Sequence, residues 1–180
     1  MKKILLSFVA AAFSLVVSAQ TYVGGELGFW RDWQDGANKT SFVVNPEVGY
    51  NLNENWAIGV RLGYGYEYVK GDKVNAFEVS PYARYTYAKL GPVNLFLDGG
   101  FGFGTFKVKD ADGNSSDAQN AWEVGIKPGL SVNLTEKLSF ISHVGFFGYR
   151  KSDMGEVFGE NGFGLKLKST DLTFGLLYNF

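Results

Sequence analysis

His143 is the only histidine in the sequence, so a catalyst that needs an imidazole base must use it. Ser142 precedes it directly, and Ser139 lies four residues earlier. In an extended chain neighbouring side chains point to opposite faces, which sends Ser142 away from the ring. Gly145 holds the place two residues beyond. Nucleophile and base must come within hydrogen-bond reach, and the spacing offers no such pair. One histidine and no cysteine also leave a zinc site short of ligands, so neither metal nor cofactor is expected. The glycines of "DGGFGFGTF" are spaced like those of a nucleotide loop, but they sit inside a strand pattern and open no helix. "NKT" and "NSS" match glycosylation acceptors and read as ordinary loop polarity.

The charged residues are more orderly, and the elements that must position them are strands. From Gln20 onward about eight segments alternate with period two: Thr21–Trp30, Phe42–Leu52, Trp56–Tyr68, Phe77–Tyr87, Val93–Phe106, Ala121–Leu134, Lys137–Tyr149 and Asp171–Phe180. In the third, Trp56, Ile58, Val60, Leu62, Tyr64, Tyr66 and Tyr68 share one face, and Ala57, Gly59, Arg61, Gly63, Gly65 and Glu67 share the other. That is a strand period, not a helix period. "FVVNPEVGY", "FEVSPYARY" and "WEVGIKPGL" form a weak internal repeat, each with a proline that sits poorly inside a strand. "NLNEN", "AKLGP" and "NLTEK" read as tight turns, while longer polar loops are expected near 31–41, 69–76, 107–120 and 150–170.

Folding about those turns predicts a layer of ion pairs. Glu47 falls opposite Arg61, Arg84 opposite Asp98, and Lys127 beside His143, with Glu26 at about the same height. Opposite charges on neighbouring strands are the favourable arrangement. Such a layer is either a gate for ions or a structural filling, and the narrowness of an eight-stranded barrel favours the filling. Farther out, Glu67, Glu78, Glu123 and Asp171 form an acidic level without obvious partners.

Composition agrees with exported β-structure. Residues 1–19 read as a signal peptide: Met1-Lys2-Lys3, the apolar run Ile4–Val17, then Val17-Ser18-Ala19 before Gln20. The domain proper is then 20–180. Without Lys2 and Lys3, fifteen Lys and Arg face eighteen Asp and Glu, a balance that argues against nucleic acid as a partner. No stretch beyond the leader is long enough for a membrane helix.

Periodicity alone allows a soluble barrel with its apolar face inward. The second face decides otherwise, because it is mostly Gly, Ser, Asn and Thr with one or two charges per strand. That suits a confined polar lumen, with the large aromatics facing lipid and Tyr and Trp at the interfaces. The expected fold is all-β, an eight-stranded antiparallel up-and-down transmembrane β-barrel with its long loops extracellular. With its leader, eight strands, loop asymmetry and terminal "FGLLYNF", the chain resembles the small outer-membrane barrels of the OmpA/OmpX type. It is most similar to those identified in Bacteroidetes-like bacteria as outer-membrane β-barrel domains. The resemblance covers nearly all of 20–180. It implies that Tyr178 and Phe180 belong to an insertion signal read by the barrel-assembly machinery. Some eight-stranded outer-membrane lipid A deacylases place a serine two positions from the histidine, where this sequence has Gly145.

The reading that results is a non-enzymatic, monomeric outer-membrane scaffold for four surface loops, serving envelope integrity or surface contact. The alternatives are a narrow ion or small-solute channel and, third, a lipid A-modifying enzyme. With Phe180 the last residue, no second domain for peptidoglycan tethering is expected. Outer-membrane lipid and lipopolysaccharide are the expected partners. Arg31, Arg150, Lys151, Lys166 and Lys168, near the loop bases, form a basic collar at the height of the lipid phosphates.

Overall fold

The structure is a computed structural model that describes residues 20–34, 37–69, 71–153, 161–167 and 172–180. The expected leader, 1–19, lies outside them, as do Lys168 and Asp171. Ten strands follow in chain order: β1 (Thr21–Gln34), β2 (Ala37–Asn51), β3 (Trp56–Val69), β4 (Asp72–Leu90), β5 (Val93–Lys109), β6 (Gln119–Asn133), β7 (Leu138–Val144), β8 (Phe146–Ser152), β9 (Gly162–Lys166) and β10 (Leu172–Asn179). They build an eight-stranded antiparallel barrel. β7 and β8 are two halves of its seventh wall strand, and β9 and β10 of its eighth. β5 pairs with β6, and β1 pairs with β10 to close the ring.

Alternation dictates which side chains face lipid. Ile58, Leu62, Phe101, Phe103, Val124, Ile126, Phe174 and Leu176 are exposed, as a wall in hydrocarbon requires. The ring pairs Trp56–Tyr85 (centroids 4.7 Å apart) and Trp122–Tyr149 (5.1 Å) lie towards opposite ends of that wall. At the tight-turn end, Asn53 Oδ1 accepts hydrogen bonds from the amides of Asn55 and Trp56, both at 2.9 Å. Gly91, at φ 63°, lets Leu90 pair directly with Val93.

The strands run farther than their apolar segments suggest. β4 has 19 residues and β5 has 17, against about 9–11 for a membrane crossing. The expected loops at 31–41 and 69–76 are therefore largely paired hairpin, with ladders reaching Gln34↔Ala37 and Val69↔Asp72. The expected loop at 150–170 contains β9. The reason is that a ladder needs only backbone partners, and the polar residues past the lipid zone do not interrupt it. The prolines are accommodated by gaps. The β2–β3 ladder skips from Val44↔Tyr64 to Glu47↔Arg61, and the β4–β5 ladder from Val79↔Phe103 to Tyr82↔Gly100, each resuming in the same register.

Gly145 marks the main irregularity. β6 pairs Gly129 with His143 but Ile126 with Phe147, so the seventh wall strand carries one extra residue there. Gly145 takes φ 76°, a region that glycine enters without steric cost. A Cβ on it would lie 2.3 Å from the Lys166 carbonyl oxygen. The bulge re-phases the strand: His143 and Ile141 face the lumen before it, and Phe146 and Arg150 after it.

Candidate functional site

The lumen is filled by one layer of charged side chains resting on an apolar floor. Glu47 and Arg61 are opposite in register, and Arg61 Nη2 donates to Glu47 Oε2 at 3.1 Å. Arg84 and Asp98 are also opposite. Arg84 Nε donates to Asp98 Oδ1 at 2.7 Å, and its Nη2 to Oδ2 at 2.8 Å. This is a bidentate fork, the strongest geometry for such a pair. Arg61 Nη2 reaches Asp98 Oδ2 as well, at 3.3 Å, which links the two pairs.

His143 belongs to the same layer through different partners from those expected. Its Nδ1 lies 2.7 Å from Glu26 Oε1, and its Nε2 lies 2.8 Å from Asp98 Oδ2. Lys127 is not beside it. The register puts Gly129 opposite His143, which moves Lys127 one same-face position towards the loops. There its Nζ meets Glu123 Oε1 at 2.5 Å. With a carboxylate at each ring nitrogen, an N–H on either side of the ring finds an acceptor. Thr173 Oγ1 donates to Glu26 Oε1 at 2.8 Å and completes that corner.

Several members have no charge and escaped the sequence reading. Tyr82 OH donates to Glu47 Oε2 at 2.8 Å and lies 2.8 Å from Tyr22 OH. The Arg84 guanidinium stands 4.3 Å from the Phe96 ring centroid, and Phe96 meets the His143 ring edge-on at 5.3 Å. Below them Tyr22, Ala57, Phe96, Ile141 and Leu177 form a buried cluster, with Phe96 1% and Ile141 0% exposed. The signal for these rings was the glycine across the ladder. A Cβ on Gly49 would strike Tyr22, one on Gly59 would strike Tyr82, and one on Gly129 would strike Phe96.

Towards the loops the lumen widens into a vestibule. A cavity of about 230 Å³ touches Glu26, Asn45, Arg61, Lys127, His143 and Arg150. The acidic level expected here is not bare. Glu123 also takes Arg150 Nε at 2.7 Å, Glu67 lies 2.9 Å from Lys39 Nζ, and Glu78 accepts from Ser80. Among the described residues no group of His, Cys, Asp and Glu could hold a metal. Ser139 Oγ donates to Asn133 Oδ1 at 3.0 Å, and Ser142 lies on the other face of its strand from His143, so neither serine is poised on the imidazole.

The basic collar comes apart. Arg31 and Lys151 are exposed on the outer face, but Arg150 and Lys166 point inward, Lys166 pairing in register with the buried Phe146. Arg150 stacks on the Phe146 ring at 3.9 Å. The bulge at Gly145 turned it in. At the opposite end of the barrel Tyr178 and Phe180 touch edge to face at 5.1 Å, and the Phe180 amide donates to the Thr21 carbonyl at 3.1 Å.

A family model described as outer membrane protein beta-barrel domain matches residues 4–180. The chain belongs to that family. Its place is accordingly a bacterial outer membrane. No curated protein matches the sequence. The solved structures add likeness of fold. Neisserial surface protein A is 16% identical with a TM-score of 0.59, over 91% of this chain and 98% of that one. The N-terminal β-barrel domain of Pseudomonas aeruginosa OprF is 16% identical with a TM-score of 0.53, over 89% and 98%.

Proposed function

We propose that this barrel is a non-catalytic, monomeric scaffold that holds its loop-end hairpins at the cell surface, exported by cleavage after Ala19. The observation that carries the reading is the filled lumen, in which Phe96 and Ile141 lie beneath a charge layer whose members hold one another. A conducting pore needs a continuous polar path, and a hydrolase needs a nucleophile beside its base. Neither requirement is met by the residues around His143. Planar-bilayer recording on the purified barrel tests this. The expected trace shows no steady conductance steps, whereas reproducible steps from the unmodified protein would favour the narrow channel.

Two partners follow from the surface. Among the described residues Arg31 and Lys151 are the collar members that face outward, and they would meet lipopolysaccharide phosphates. Tyr178 and Phe180 would be read by the barrel-assembly machinery. A pair of variants separates the two roles. Arg31→Gln with Lys151→Gln should weaken lipopolysaccharide binding at low salt, where surface charge acts most strongly. Removal of Phe180 should slow insertion in cells while leaving the unfolding of assembled barrel nearly unchanged. Unaltered binding in the first case, or unaltered insertion in the second, removes that partner.

A further inference from the structure

Three lysines meet on the outer face of the wall, at the loopward ends of β4 and β5. The ladder sets Lys73 directly opposite Lys109, and Asn75 opposite Lys107. Cα atoms paired in this way lie about 5 Å apart, and Lys107 is the diagonal neighbour of Lys73, within reach of a long side chain. All three lysines are exposed and share the face of Phe77 and Phe103, each 47% exposed. Like charges directly opposite each other destabilise a sheet, and nothing on the barrel offsets them here. Among the described residues none of the three makes an ion pair or a side-chain hydrogen bond. The carboxylates nearby are engaged elsewhere. Asp72 accepts from the Ala111 amide at 3.2 Å, and Asp110 accepts from the Asn114 amide at 2.8 Å and its side chain at 3.1 Å. Asp112 and Asp117, beyond β5, form no ion pair with the lysines.

The height of the patch says what it faces. Tyr85, packed on Trp56, marks the turnward edge of the lipid zone. From Tyr85 to Lys73 the strand climbs twelve residues, about 30 Å at the usual rise and tilt. The apolar band of such a barrel is about 25 Å tall, so the lysines stand just beyond it. Between the band and the lysines lies a hydrogen-bonding step. Tyr64 OH donates to Asn75 Oδ1 at 3.0 Å, which orients the amide and leaves its NH2 group to donate outward. Along β4 the outer face thus passes from aromatic Phe77 to amide Asn75 to cationic Lys73. That is the order in which a lipid presents its chains, its polar linkage and its phosphates.

We propose that the outer face of β4 and β5 binds the phosphates of an outer-leaflet glycolipid. One phosphate bridges Lys73 and Lys109, Lys107 and Asn75 close it from the lipid side, and acyl chains lie along Phe77 and Phe103. Ammonium groups bind phosphate directly, so the contact needs no bridging metal ion. The proposal rests on the lipopolysaccharide reading above and gives that lipid a second place on the wall, separate from Arg31 on β1 and Lys151 on β8.

The test uses the full barrel in dodecyl maltoside at low salt with EDTA, and diphosphoryl lipid A as probe. Lys73→Gln, Lys107→Gln and Lys109→Gln together should weaken binding about a hundredfold, roughly fivefold for each ammonium at a charged lipid surface. Fold is checked by gel migration before and after heating. With dephosphorylated lipid A, the triple variant and the wild type should bind alike. On the unmodified barrel, lipid A with a nitroxide on its sugar head should broaden the backbone signals of Lys73, Asn75 and Lys107 ahead of that of Phe163 on the opposite wall. Equal affinity of triple variant and wild type for diphosphoryl lipid A overturns the proposal. So does an equal deficit with the dephosphorylated lipid, and so does equal broadening on both walls. Competition by polyglutamate as strong as that by lipid A also overturns it, because the patch would then dock an acidic protein. Arg31→Gln with Lys151→Gln is measured alongside. A loss there and none in the triple variant removes this site and keeps the outward pair, and the reverse keeps this site alone.

Discussion

Arg84→Met will destabilise the folded barrel by about 3–5 kcal/mol, because it leaves a buried carboxylate without its main partner. Asp98 is 3% exposed and receives two of its short hydrogen bonds from Arg84. Its other partners, Arg61 at 3.3 Å and His143 at 2.8 Å, are shared with Glu47 and Glu26. The measurement is urea unfolding in lipid vesicles, followed by tryptophan fluorescence. The double variant Arg84→Met, Asp98→Leu should lose less than the two single losses added together, by roughly 1–3 kcal/mol for residues in one network. Strict additivity would mean that the two side chains do not interact across β4 and β5.

Phe96→Ala will cost a comparable amount, about 3–5 kcal/mol by the usual range for a buried aromatic. The ring is 1% exposed, fills the space over Gly129, and presents its face to Arg84 and its edge region to His143. Phe96→Leu, which keeps most of the volume, should be considerably milder. The same pair of variants bears on transport. Removing the ring takes out part of the floor under the charge layer, so conductance events should appear in Phe96→Ala and be absent from Phe96→Leu. A Phe96→Ala barrel as stable as wild type would show that the floor is loosely packed. Silence in the bilayer would show that the charge layer alone seals the lumen.

Much of this architecture was written in local pattern. β3 alternates without interruption over fourteen residues, so its faces could be read directly, and the short turns then carried Glu47 to Arg61 and Arg84 to Asp98. The reading failed where the signal was degenerate. Around Gly145 the sequence is Val144, Gly145, Phe146, Phe147, apolar on both faces, so a one-residue bulge leaves no trace in the alternation. The partners of Arg150 and the inward turn of Lys166 were lost with it. His143 was placed at the right height, but its partners Glu26 and Asp98 come from wall strands on either side of its own neighbourhood, which turn register alone does not relate. Tyr22, Tyr82 and Phe96 were passed over because the lumenal face was read as small residues with a few charges, and the filling was assigned to the charges alone. Each in fact stands over a glycine that makes room for it.

The extra residue at Gly145 acts on the seventh strand as an inserted nucleotide acts on a reading frame. Everything from Phe146 to Ser152 is decoded in the other phase, so the loopward half of the strand is independent of the turnward half in what it shows to water and what it shows to lipid. The two halves are thus separable modules joined at a punctuation mark. Were the residue at 145 drawn into a regular paired place instead of the bulge, Arg150 would turn towards hydrocarbon and Phe147 and Tyr149 into the lumen, with no substitution made anywhere from Phe146 to Ser152.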